Sequence, residues 1–173
     1  QDMPNPRRPK LKDTIKKWEI VAERRYQSGL SLIAANDDYT GVEQLAYSAE
    51  MLLKGAYFRF VKKTVGLARI TSEITMRHLR DAEQEARRLG VAHHSEGFHS
   101  LLFWAELLTA KRRSNHHSLT PDMEREFLLR VREMHVLWLV DNRYQPMNYN
   151  FDDVLVMRAN ATWLRTNYAT LWR

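Results

Sequence analysis

Six stretches of this chain repeat apolar residues three and four apart, and no stretch carries a hairpin or parallel-strand pattern. That spacing matches the 3.6-residue period of an α-helix and lays apolar side chains along one face. The clearest case is residues 49–63, AEMLLKGAYFRFVKK, where Ala49, Leu52, Leu53, Ala56 and Phe60 form the stripe. Lys54, Arg59, Lys62 and Lys63 lie among or just beyond these residues. The question is whether that charge serves a ligand or only wets the outer face of a buried helix.

The punctuation between the stretches sets expected boundaries. Residues 14–35 form one helix through Ile15, Trp18, Ala22, Tyr26, Leu30 and Ile33, ended by NDDY. Thr40 and Glu43 have capping-box spacing and open a second helix to about Thr64 or Val65, with Gly66 as its stop. A third spans about 72–89 and closes at Gly90; a fourth covers 95–113. The fourth ends in Lys111, Arg112 and Arg113, cations that suit a helix C-terminus and need no ligand to explain them. Thr120 and Pro121 signal the start of a fifth helix, running to about Val140. DNRYQPMNYN breaks it, and a sixth runs from about Asp152 to near Leu171.

The expected fold class is therefore all-α, a compact bundle of five or six helices over residues 13–173. Residues 1–12, with three prolines, Arg7, Arg8, Lys10 and Lys12, read as a flexible basic arm. The chain has no cysteine, which excludes disulfides, thiol catalysis and thiolate metal sites. No long apolar run or signal-peptide pattern is evident, so a cytoplasmic location without a membrane partner is expected.

Charge is unevenly placed. The net formal charge is +6, and residues 54–80 carry seven Lys and Arg against Glu73 alone. Residues 26–53 hold four acids and no base. A local cationic excess favours an anionic partner such as RNA or a nucleotide; the bland alternative is a solubilising surface.

The second and third helices carry a resemblance. LAYSAEMLLKGAYFRF, followed by TMRHLRDAEQEARRLG, resembles the HEPN family, with Lys54 at the LLK lysine and His78 and Leu79 at a His–x–Leu pair. Ala82 departs from the usual continuation of that pair, whereas NRYQP, from Asn142 to Pro146, is similar to a segment some members place before the last helix. The resemblance spans roughly residues 14–171. It implies a bundle of four to six helices, often a homodimer. Many such domains are metal-independent ribonucleases of toxin or defence systems; others bind nucleotide or RNA without catalysis, or pair with a nucleotidyltransferase.

Catalytic members carry a late Arg, then four to six intervening residues, then His. After Arg143 this chain reads YQPMNYNF, with Asn148 and Tyr149 at that spacing and no His. Arg88 has His93 and His94 at the right interval, but beyond the helix-ending Gly90. The resemblance thus implies a non-catalytic nucleotide- or RNA-binding and dimerising module, acting beside an antitoxin or nucleotidyltransferase partner and needing no cofactor. The alternative is an endoribonuclease with Arg143 as phosphate clamp and His78 as the imidazole. A third reading is a purely structural helical protein.

Candidate ligand contacts are Lys54, Arg59, Lys62, Lys63, Arg143, Tyr144 and Tyr149. Lys54 could touch phosphate, or lay its methylenes on the bundle with its ammonium in water. His78 sits on the apolar side of its helix, where a partly buried structural histidine is the plainer reading. Arg143 could hold phosphate through its planar fork or bind helix carbonyls, and Tyr144 and Tyr149 could stack on a base or fill the bundle rim. The pairs His93–His94 and His116–His117 lack HExxH spacing, and no metal site is expected.

Overall fold

The computed structural model describes residues 14–64, 73–92, 97–138 and 149–173, and among these it is all helical. The helices are α1 Ile15–Ala34, α2 Asp38–Thr64, α3 Met76–Arg88, α4 Leu101–Ser114, α5 Pro121–Leu137 and α6 Phe151–Trp172. The expected basic arm, Gly66, His93, His94, Arg143, Tyr144 and Pro146 lie outside the described residues.

α2 is the central helix, packed against α1, α4 and α6, while α5 packs on α4 and α6. The stripe read from the sequence is its buried side: Ala49, Leu53, Ala56 and Phe60 are all almost fully buried. Phe58 and Tyr57 extend that side, each with its ring under 6 Å from the Trp104 ring centroid (5.8 and 5.7 Å). α1 and α2 form an antiparallel pair whose backbones meet at two glycines. A Cβ on Gly41 would lie 2.6 Å from Ile33 Cγ1, and one on Gly29 would lie 2.9 Å from the Gly41 carbonyl oxygen. Lower in the same interface the Ser48 hydroxyl donates to the Ala22 carbonyl at 2.8 Å.

Three helix ends differ from the expected ones, each for a capping reason. α2 begins two residues before Thr40, because Asp37 Oδ1 accepts the Thr40 N–H at 3.2 Å. Asp caps as well as Thr does, so the upstream carboxylate sets the start. α3 begins at Met76 after Thr75, later than the expected 72. The fourth helix is split: Gly97–His99 makes one 3₁₀ turn, Gly97 has φ +56°, and Ser100 caps α4 by accepting the Phe103 N–H at 3.1 Å. The Thr120–Pro121 start of α5 stands as expected. Asn150 and Asp153 cap α6 reciprocally, at 2.9 and 3.0 Å.

α1, α3 and α4 close with the same pattern. A residue with positive φ follows the cap, and its successor donates to a carbonyl five residues back. Asn36, Gly90 and His116 fill that position, with φ of 63°, 71° and 59°. His117 N–H completes the α4 closure on Arg112 O at 2.9 Å. His116 is therefore where the backbone needs a left-handed residue, which accounts for half of that histidine pair.

Candidate functional site

Three settings hold the basic residues that bear on a site. In the first, Lys54 is 7% exposed and Glu50 1% exposed, and Lys54 Nζ donates to Glu50 Oε1 at 2.6 Å instead of reaching water. His99 Nδ1 meets the same oxygen at 3.1 Å, tying the 3₁₀ turn to α2. Burial raises the Glu50 carboxyl, but the His99 hydrogen bond and the Lys54 ammonium outweigh it and hold the group below its ordinary value. Lys54 stands 5.9 Å from the Trp104 ring centroid, enclosed by the core.

The second setting is an open cleft of about 590 Å³ beside α1, α2 and α6, lined by Glu19, Glu23, Arg59, Arg165, Tyr168 and Trp172 among others. Arg59 grips Glu19 with Nε and Nη2, the latter at 2.6 Å, and Tyr168 donates to the same carboxylate at 2.6 Å. Arg165 holds Glu23 at 2.6 and 2.9 Å. Burial works against the Glu19 charge, yet the bonds from Arg59 and Tyr168 keep its carboxyl below the ordinary value. Two arginines face two carboxylates, so this cleft has no excess charge to offer an anion.

The third setting is one pole of the bundle, where the C-terminal ends of α2, α4 and α6 converge. Lys63 Nζ, on α2, donates to the main-chain oxygen of Arg173 at 2.5 Å. Arg112, on α4, donates from Nη1 to the Leu171 carbonyl at 2.9 Å and lies 5.0 Å over the Phe60 ring of α2. Lys62 and Arg173 are exposed beside them. None of these four cations is paired with an Asp or Glu side chain among the described residues. Neighbouring Lys111 and Arg113 differ, because Glu85 and Glu124 take them. Each helix C-terminus carries about −0.5 of a charge. Three such ends sum to about −1.5 against four full positive charges, so the pole keeps a cationic surplus.

Arg112 is the buried member, 7% exposed. Its Nε is buried without a partner, and burial lowers its pKa with no compensating carboxylate. Arginine stays protonated under such a shift, so a charge is held here at a cost. Sequence alone assigns Arg112 to the helix dipole together with its neighbours. The signal that separates it is its register: Leu101, Ala105, Leu108 and Arg112 follow one apolar stripe of α4.

The remaining predicted residues are scattered. His78 is the third residue of α3, and its Nδ1 accepts the Thr75 backbone N–H at 3.0 Å. The ring also stands edge-on to Phe58, with centroids 6.5 Å apart. Tyr149 donates to the Leu137 carbonyl at 3.2 Å and stacks on Tyr39 at 6.0 Å. Of the predicted ligand contacts, Lys62 and Lys63 are thus the described ones at the cationic pole, and Arg143 and Tyr144 are outside the described residues. Among the described residues no group of three or more His, Asp or Glu is placed to hold a metal ion, and no helix is long and apolar enough to cross a membrane.

Comparison of the chain with protein-family models, with curated proteins and with solved structures returns no match.

Proposed function

We propose that this chain is a non-catalytic helical module, HEPN-like in its order of helices, that binds RNA or a nucleotide through the pole formed by Lys62, Lys63, Arg112 and Arg173. The observation that carries this reading is that residues more than a hundred positions apart bring their cations to one place, while Arg59 and Arg165 in the open cleft are matched to acids. Four cations at one end with no Asp or Glu side chain paired to them are a footprint for phosphate. His78 supports the non-catalytic reading, because accepting a cap hydrogen bond at Nδ1 ties the ring to the start of α3. Association with a second copy rests on the resemblance and on exposed Leu129, Phe151 and Leu155 on α5 and α6.

Titration with short single-stranded RNA at low and moderate salt tests the binding. Affinity is expected to fall steeply as salt rises; absence of binding at low salt overturns the reading. Light scattering across micromolar concentrations tests association, with a strict monomer contradicting it.

A further inference from the structure

Beneath the cationic pole lies a pocket of about 460 Å³ between the start of α5 and the end of α6. Arg112 and Arg173 line it together with the hydroxyl residues Ser118, Thr120 and Thr170, and no Asp or Glu is among its described lining residues. Leu119 and Met123 add an apolar wall. The two acids nearest in sequence are engaged elsewhere: Asp122 with Arg125 at 2.8 Å, and Glu124 with Arg113.

We propose that this pocket seats a terminal phosphate, the phosphomonoester of a mononucleotide or of an RNA end. This rests on the reading of the pole as a phosphate-binding surface and adds which kind of phosphate it takes.

Three observations argue for it. Arg112 is more than nine-tenths buried, so only a group that enters the pocket can meet its charge. A phosphate in mid-strand has a nucleotide on both sides, whereas a terminal one projects and carries up to two charges with three acceptor oxygens. Nη1 of Arg112 is taken by the Leu171 carbonyl, Nε has no partner, and no hydrogen bond joins Nη2 to a described residue. An entering anion therefore offsets a cation that the fold leaves uncompensated. The second observation is the α5 N-terminus. Thr120 and Met123, its cap and an early residue, both line the pocket, so the positive end of the helix dipole faces the same space. The third is size and lining. The volume lies within the range of small-ligand sites, and an apolar wall beside two cations suits a base or sugar attached to the phosphate.

The test uses the full chain and four probes: one short RNA with a 5′-phosphate, with a 3′-phosphate and with hydroxyl ends, and adenosine monophosphate. A phosphorylated end, or the mononucleotide, is expected to bind about tenfold tighter than hydroxyl-ended RNA. Arg112→Met should abolish that preference, while hydroxyl-ended RNA, still held by Lys62, Lys63 and Arg173, loses far less affinity than the phosphorylated end does. Because Arg112 is buried, the exposed rim variant Ser118→Asp is measured beside it, with circular dichroism confirming the fold. It should abolish the same preference by placing a carboxylate in the pocket. The mononucleotide matching phosphorylated RNA identifies a nucleotide site; RNA alone binding identifies an end site. Equal binding of hydroxyl-ended and phosphorylated RNA, insensitive to both variants, overturns the pocket while leaving the pole intact. Mononucleotide binding without any RNA binding overturns the polyanion surface and leaves the pocket standing.

Discussion

The Tyr168 hydroxyl stands where a side chain on Gly55 would be: a Cβ there would lie 2.7 Å from it. The glycine in the middle of α2 is thus the space into which α6 inserts a tyrosine, and that tyrosine reaches Glu19 on α1. One missing methyl joins three helices. Gly55→Ala should cost about 1–3 kcal/mol through overpacking. In a Tyr168→Phe background the same change meets only ring carbon at 3.6 Å, and it should be neutral or stabilising by about 0.5–1 kcal/mol. Urea unfolding of the four chains checks this, and an equal penalty in both backgrounds would refute the insertion.

Removing Lys54 should expose how the centre is balanced. Lys54→Met leaves the Glu50 carboxylate, 1% exposed, without its ammonium, and should cost about 3–5 kcal/mol. Glu50→Gln added to Lys54→Met should recover most of that loss, because the second change removes the stranded charge. Additive losses in the double variant would contradict a coupled pair.

Acid sensitivity should concentrate on α3. Bonds from Arg88 outweigh burial, and with Lys111 they hold the Glu85 carboxyl at about 2, below its ordinary 4.5. A carboxyl depressed on folding stabilises the fold fully above its unfolded value and loses that contribution as pH falls through the folded one. Melting temperature should therefore drop between pH 4.5 and about 2, and Glu85→Gln should flatten the drop. Parallel curves for the two chains in that window would show that Glu85 is not responsible.

At the end of α4, His116 has φ 59° where glycine is unstrained. His116→Gly should raise stability by about 1 kcal/mol. Thermal melting decides it, and a loss would mean that the imidazole has a role of its own.

The sequence makes the helices legible because each carries its own period and its own caps. The Thr120–Pro121 start of α5 and the Gly90 stop of α3 are local chemistry, and they appear where the residues predict. The starts of α2 and α3 shift because Asp37 and Thr75 compete as caps with residues nearby in sequence, and a spacing rule cannot rank such rivals. Lys54 shows a different limit. Its i,i+4 relation to Glu50 is visible in the sequence, but not the enclosure by Trp104 that turns a surface pair into a core one. The cationic pole is hardest to see, since Lys63 and Arg173 are brought together only by the parallel course of α2 and α6.

The most direct measurement is RNA binding as a function of salt for three chains: the unaltered protein, Lys62→Gln/Lys63→Gln/Arg173→Gln, and Arg132→Gln as an exposed control on α5 away from the pole. For a single strand, every phosphate that a removed cation no longer neutralises should lower the slope of log affinity against log salt by about 0.7. The triple variant should therefore bind more weakly with a slope reduced by about 2, while Arg132→Gln matches the unaltered protein. Superimposable curves for the triple variant and the unaltered protein would contradict the cationic pole as the binding surface.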